Sequence, residues 1–344
     1  MARPILGPFP TPFRHLFALV SALLSAPYAL ADQSGTPYPL PAANLAPLTQ
    51  LTALPRHTAL AFRPADDRSA RLSVDVANHF AGDRAGQARV LFDGETYRTT
   101  LSLQGRYRRL AWRLALPWVA HNGGILDGAI DPWHETFDMP EGGRPAAPRD
   151  RILFRVVDPT GKEVLRLDRA VSGPGDVAGS LGYALTGESA PVGLELGMRL
   201  EAPTGNRRDL LGSGGWDGTL WLSARHEGAL PPGRYALSVS GGGVFSGESP
   251  VPGLSHRHRV GYGRLFAGWA PGDRLRLGAQ LDMHGGFYNS SLGPLGRTAA
   301  ELRVHGGVHL GSRTWLRAGF SEDVAVGTAP DVTFHFALLR KMDQ

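Results

Sequence analysis

Along 192–201, VGLELGMRLE, apolar residues occupy every second position: Val192, Leu194, Leu196, Met198 and Leu200. Gly193, Glu195, Gly197, Arg199 and Glu201 stand between them. The same period runs through 274–284, where Leu275, Leu277, Ala279, Leu281 and Met283 alternate with Arg276, Gly278, Gln280, Asp282 and His284. In 301–311, Leu302, Val304, Val308 and Leu310 alternate with Glu301, Arg303, His305 and His309. Segments 71–79, 234–245, 314–322 and 331–340 repeat the theme. A period of two puts one set of side chains on each face of a β-strand. Helical spacing is largely confined to 122–137, where Ile125, Leu126, Ala129, Ile130, Trp133 and Phe137 share one face and Pro132 interrupts it.

Alternation does not say which face is outside. A soluble barrel turns its apolar face in, and an outer-membrane barrel turns it out. The best segments run ten residues or more, close to the roughly 9–11 that cross a bilayer at a tilt and longer than the usual globular strand. Trp216, Trp221, Tyr262, Trp269 and Trp315 lie toward segment ends, which suits aromatic girdles at the interfaces. The polar face mixes glycine with Arg, Glu, Asp and His, which suits a wet lumen. The expectation is an all-β protein: a transmembrane antiparallel β-barrel of roughly 12–16 strands over 58–344. One long loop, 122–144, carries a short helix that would gate or plug it. Asp93-Gly94 reads as a two-residue hairpin turn. Residues 32–57 are proline-rich and aperiodic, a lead-in tucked into the barrel mouth. Two other classes stand beside this reading: a soluble periplasmic β-sandwich binding protein, and an outer-membrane lipid-modifying enzyme (an acyl hydrolase).

The first 31 residues settle the compartment expected. Arg3, Arg14 and His15 precede the short apolar run LFALVSALLSA at 16–26, and Ala29-Leu30-Ala31 is a small-x-small cleavage site. This reads as a cleaved secretory signal, with Asp32 as the first residue of the mature chain and the outer membrane as destination. The absence of cysteine fits export and removes thiolate chemistry. The leader holds two of the 36 basic residues and no acid, leaving 34 against 31 acids. With so small an excess and no basic run longer than two, nucleic-acid binding has no support.

The stretch 200–223, LEAPTGNRRDLLGSGGWDGTLWLS, has the look of a phosphate loop, but it lacks the GK pair and a following helix. It is expected to be a rim loop, with Gly205, Arg207, Arg208, Gly212, Ser213 and Gly214 as candidates for contact with an anion such as a lipid phosphate. His134-Glu135 opens no HExxH, and no GxSxG occurs. His256 and His258 are too few for zinc without a third ligand. His305 and His309 share the polar face of one strand. A hydrolase would need a serine beside a histidine, for which His134 with Ser213 or Ser321 are the residues available. No catalytic set, metal site or cofactor is expected.

At the same loop a resemblance enters. PTG at 203–205 followed by LLGSG at 210–214 belongs to an ordered set of motifs. The others are NLAPLTQLTALP (44–55), VDVANHF (74–80), LFDGETYR (91–98), GGILDGAIDPWHETFDMPEGGR (123–144), GPGD (173–176), AQLDMH (279–284) and EDVAVGTAPDVTFHF (322–336). The set spans nearly all of the mature chain and resembles a family of uncharacterised outer-membrane β-barrel proteins of Gram-negative bacteria, known only as a domain of unknown function. The resemblance implies a barrel and no activity. The barrel reading itself gives outer-membrane lipid and the barrel-assembly machinery as partners, and a role in passing or binding small solutes or a structural one. Asp75, His79, Glu95, Arg98, Glu322, Asp323 and Asp331 fall within these motifs. They are the candidates for a lumen network that braces the barrel or selects solutes. Asp127 and His134 are the candidates in the helical loop.

Overall fold

The computed structural model describes residues 37–56, 59–62, 68–126, 128, 148–248, 250–311 and 313–342. In chain order the strands are β1 (Ser69–Ala85), β2 (Ala88–Tyr107), β3 (Leu110–Asn122), β4 (Leu153–Val157), β5 (Glu163–Leu167), β6 (Val171–Pro174), β7 (Val177–Ala184) and β8 (Gly193–Ala202). They continue as β9 (Asp217–Leu230), β10 (Gly233–Ser246), β11 (Arg259–Ala270), β12 (Leu275–His284), β13 (Ala299–His309), β14 (Thr314–Asp323) and β15 (Val332–Lys341).

Twelve of them form a closed ring. β1 pairs β2, β2 pairs β3, β3 pairs β7, and each later strand pairs the next through β15. β15 returns to β1 in antiparallel register from Ser69↔Lys341 to Asn78↔Val332. Closure gives the backbone groups of the strands partners within the wall and leaves no edge, which is what a β-structure in lipid requires. The three short strands lie outside the ring. β4 pairs residues 89–93 of β2, β5 pairs β4, and β6 pairs the last residues of β3.

Asp93-Gly94 is not a turn. β2 runs straight through it, and the hairpins bend after Ala85 and Tyr107 instead. Gly94 has a positive φ of 142°, and a Cβ there would sit 2.9 Å from Ile152 and 3.0 Å from the carbonyl of Asn122. It marks the point where β2 exchanges β3 for β4 as its neighbour.

The faces are inverted relative to a soluble protein. Leu220 and Leu222 on β9 are 52% and 53% exposed, whereas Ser223 and Arg303 are 0% exposed. Over the lipid-facing span of the ring strands the apolar set faces outward and the polar set inward, and that rules out a soluble sandwich. Replacing Leu222 with Arg is therefore expected to destabilise the barrel by about 2–4 kcal/mol in a bilayer. Leu222→Ala, at the same position, brings no charge into lipid and should cost less. Urea titration in liposomes compares the two, and equal losses would contradict the assignment of faces.

The aromatic residues divide differently from the girdle expectation. Trp221, Tyr262 and Trp315 are buried inside the barrel, while Trp112, Trp118 and Trp216 are exposed outside it. Trp221 finds its room over Gly197, where a Cβ would lie 2.0 Å from the indole.

The loops sort by length, apart from the tight 86–87 turn at the long-loop end and the eight-residue 185–192 connection at the other. Connections 203–216, 247–258, 285–298 and 324–331 leave one end, together with the excursion from β3 to β7. At the other end lie the tight links after Tyr107 and Leu230, the 271–274 and 310–313 turns, and both ends of the ring's chain, Ser69 and Lys341. This is the asymmetry of outer-membrane barrels, whose short turns face the periplasm. The leader at 1–31, and most of the 122–144 insertion with Asp127 and His134, lie outside the described residues.

Candidate functional site

The lumen is not empty. Every described residue from 39 to 56 is buried, although this stretch contains no strand. Pro37, Pro39, Pro41, Pro47 and Pro55 lack the N–H that a β-ladder needs, so the segment cannot join the wall. It threads the barrel instead. Leu40 N donates to Gln280 on β12 (2.8 Å). Asn44 Nδ2 lies 3.0 Å from His284 Nε2 and donates to the carbonyl of Thr328 in the β14–β15 loop. Gln50 Nε2 is 3.2 Å from His121 Nε2 on β3. Thr219 on β9 donates to the carbonyl of Ala53. Glu195 on β8 accepts from the amides of Ala59 (3.1 Å) and Ala61 and from the Trp221 indole (2.7 Å). In order, these contacts trace a hairpin. The chain enters at the short-turn end, reaches the long-loop end near Asn44 to Gln50, and returns. The inner segment thus continues past 57 to Phe62, and the first strand starts at Ser69 rather than near 58.

Wall arginines take the place of water around its carbonyls. Arg225 donates to Pro37 O (2.8 Å), and Arg264 donates to Ala42 O (2.9 Å) with a longer contact to Pro55 O (3.4 Å). Arg317 reaches Pro39 O at 3.5 Å, and the Arg225 guanidinium covers the Tyr38 ring at 4.3 Å. Small residues in the wall make this approach possible. A Cβ on Gly193 would lie 2.8 Å from the Phe62 ring, and one on Gly268 would lie 2.7 Å from Pro37.

Across the middle of the lumen runs a charged belt. Arg303 on β13 pairs with Glu301 (2.7 Å) and Asp282, and Asp282 also takes Arg264 and Gln280 Nε2 (2.7 Å). Arg225 pairs with Glu227, and Arg199 pairs with Glu201. Asp75 accepts from His335 Nδ1 (2.9 Å) and has Arg56 of the inner segment 3.9 Å from its other oxygen. His335 Nε2 in turn is 3.2 Å from Ser321 Oγ. Ser321, His335 and Asp75 have the order found in hydrolases, but Ser321 is 1% exposed and its row is part of the braced wall. At the long-loop end the mouth is covered by apolar packing. Val90, Phe92, Phe154, Leu210 and Phe287 gather there with Leu48, Leu51 and Leu54 of the inner segment.

The candidates from the sequence separate into three places. Asp75, His79 and Arg98 face inward. His79 Nε2 meets Thr96 Oγ1 (2.8 Å), which meets His121 Nδ1 (2.9 Å), and both imidazoles stand edge-on to Phe154. Glu95 and Glu322 do not face the lumen, because they occupy the outward-facing set of β2 and β14. Glu95 lies beyond the lipid-facing part of its strand, where the amides of Ile125 (2.9 Å) and Leu126 (2.7 Å) and the Tyr97 hydroxyl (2.5 Å) cover it. Motif membership placed them near the rim without fixing parity, and one residue in a strand reverses the face. Asp323 closes the β14–β15 turn by accepting from the amides of Ala325, Thr328 and Ala329. Asp331 follows it, its amide bound to Asn78 O (3.0 Å).

The loop after β8 does hold an anion, and that anion is the protein's own. Asp176, last residue of GPGD, accepts from the amides of Gly205 (2.8 Å) and Ser213 (2.7 Å). A Cβ on Gly212 would lie 2.4 Å from that carboxylate, and Gly214 supplies a positive φ of 81°. Arg207 meets Glu248 (3.3 Å), and Arg208 is exposed. Asp176→Ala is expected to leave two amides unsatisfied and to loosen the loop by about 1–3 kcal/mol. Protease cleavage within 203–216 should accelerate, whereas Arg208→Ala should leave it unchanged. In the β10–β11 loop, burial pushes the His256 imidazole down to about 4, with the neighbouring His258 adding to the effect. Among the described residues no three His, Cys, Asp or Glu converge as metal ligands.

Sequence reasoning missed Arg303, Asp282 and Glu301 as a set, and Glu195 as the anchor of the inner segment. Each lies on a polar position of an alternating strand, so the signal was present. Nothing in one strand says which residues of distant strands meet across a lumen.

Taken together, the closed wall, the apolar exterior and the charged interior define an outer-membrane-type β-barrel whose lumen is filled by its own N-terminal segment. The chain belongs to the family described as protein of unknown function (DUF3187), whose model matches residues 16–342. Among solved structures it is similar to an outer membrane channel from Pseudomonas putida F1, at 15% identity and a TM-score of 0.52, over 83% of this chain and 99% of that one. The NanC porin aligns at 6% identity and a TM-score of 0.44, over 80% of this chain and 100% of that one. The P. putida toluene transporter TodX aligns at 11% identity and a TM-score of 0.37, over 83% and 92%. The first likeness bears on the fold alone, and the other two are looser. A comparison with curated proteins finds no match.

Proposed function

We propose that the protein is an outer-membrane channel for small polar solutes, held closed by residues 37–62. The observation that carries this reading is the division of labour inside the barrel. Wall arginines bind carbonyls of a separate, strandless segment, while the β-ladder closes without it. A segment held by side chains can leave and a strand cannot, so the same wall can serve a closed and an open state. The polar inner surface suits hydrated cargo, and the apolar outer face suits lipid. On this reading the leader directs export and is removed, and the assembly machinery inserts the barrel in the outer membrane.

Envelope fractionation tests the location. The protein should band with the outer membrane and migrate differently on SDS gels before and after boiling. Planar bilayers test the function: the full chain should give discrete openings from a low baseline. A verified insertion that shows no current step at any voltage overturns the channel reading.

A further inference from the structure

Two buried guanidinium groups on the inner wall stand apart from the belt of ion pairs. Arg98 on β2 and Arg113 on β3 are each 5% exposed and belong to the inward-facing set of their strands. Arg98 Nε and Arg113 NH1 are buried with no hydrogen-bond partner. Neighbouring positive charge makes this more costly. Arg98 lies within electrostatic range of Glu201 first, then of Arg199, Asp75 and Asp176, and of Arg56 on the inner segment, whereas Arg113 has, among the described residues, only Arg199 within range. The register supports that last relation, since Arg113 faces Ser180 on β7 and Ser180 faces Arg199 on β8.

The carboxylates nearby are already engaged. Glu201 is bound by Nε of Arg199 at 3.0 Å, and Asp75 is bound by His335 at 2.9 Å. Asp176, also within range of Arg98, is held by the amides of Gly205 and Ser213, so four guanidinium groups face three carboxylates that are each already engaged. Uncompensated charge of one sign in a buried polar site is unfavourable unless a counter-charge enters. Arginine presents a planar fork of N–H donors that matches the paired oxygens of a carboxylate or phosphate.

We propose that this corner of the lumen, formed by Arg98, Arg113 and Arg199 and roofed by Arg56, is a binding site for a small oxyanion, carboxylate or phosphate in character. The inference deepens the channel reading by naming the class of solute. Because Arg56 belongs to the inner segment, the segment supplies part of the site while it is in place. An anion arriving there competes with Asp75 and Glu201 for Arg56.

Equilibrium binding, which is independent of conductance, tests the site, so it and the channel reading can fail separately. The full-length protein in detergent is titrated calorimetrically with inorganic phosphate and, separately, with succinate, in chloride at constant ionic strength. Saturable binding of either is expected, and the better ligand identifies phosphate or carboxylate as the recognised group. Arg98→Gln and Arg113→Gln should each lower affinity at least tenfold, and Arg98→Lys, which keeps the charge and loses the fork, should fall between. Arg155→Gln, on β4 outside the ring, should bind as the wild type does. Heat-modifiable mobility on gels establishes that each variant is folded. If Arg98→Gln does not fold, Arg113→Gln carries the comparison. The proposal is overturned if neither anion binds saturably to the wild type, or if folded variants bind as tightly as it does.

Discussion

Excising residues 37–62 is expected to convert a barrel with rare openings into one with a steady ohmic current. The wall does not depend on the segment for its ladder, because β15 pairs β1 directly and every ring strand has two neighbours. Removing the segment takes away the chain that crosses the lumen between Gln280, His121, Thr219 and Glu195. It also takes Leu48, Leu51 and Leu54 out of the apolar packing at the long-loop mouth. The loop side chains left there lose the surface they covered, so the mouth loosens as well. Arg225, Arg264 and Arg317 lose their carbonyl acceptors and gain water. Single-channel recording on folded, heat-modifiable protein checks the result. A deletion variant that inserts and stays silent would show that the loops alone seal the barrel, and the role given to the segment would then be wrong. Glu195→Gln is a milder version. It keeps the shape of the anchor and weakens its hold on the amides of Ala59 and Ala61, so openings should become more frequent without becoming permanent.

Arg303→Ala is expected to be the most destabilising single change in the wall, at about 3–5 kcal/mol, the usual cost of removing one partner from a buried ion pair. Arg303 is fully buried and binds Glu301 and Asp282, which face each other across β12 and β13. Without it, two carboxylates remain close together with Arg264 as their main counter-charge. Arg303→Lys keeps the charge but cannot reach both acids with one planar fork, so its loss should be smaller. Tryptophan fluorescence during urea unfolding in liposomes measures both variants. An Arg303→Ala barrel as stable as the wild type would mean that water already screens these charges, and that the lumen is wetter than its burial suggests.

The two experiments probe different parts of one arrangement. The belt of Arg303, Asp282, Glu301 and Arg264 belongs to the wall, and the inner segment is a guest held by that wall through Arg264 and Arg225. Rigidity in the first allows mobility in the second, since a bare barrel of this width would otherwise rely on the segment for bracing.

How much of this was legible beforehand follows from what each residue senses locally. In VGLELGMRLE the period of two assigned Leu196 to one face and Glu195 to the other. The length of the run favoured lipid outside, because a bilayer needs about that many residues. Barrel class and the inversion of faces were therefore in the sequence. So was the failure of 200–223 as a nucleotide loop, since its lysine is missing. Three things were not. Asp93-Gly94 has the composition of a turn, but β4 arrives from sixty residues further along and keeps the chain extended. Glu95 and Glu322 lie in rim motifs whose parity depends on where each strand leaves the wall. The partners of Asp75 depend on closure: His335 comes from the last strand, which meets the first only when the ring is complete.

The sequence by itself determined the strands, their apolar and polar faces, and a proline-rich lead that could not become a strand. Those properties come from period, length and the missing proline N–H, all of them local. Only the tertiary structure decided that the lead runs up through the lumen and back, that Asp176 fills the cradle made by Gly205 and Ser213, and that Arg98 Nε and Arg113 NH1 are buried without a hydrogen-bond partner. Those properties depend on which distant residues a closed ring brings face to face, and no single strand carries that information.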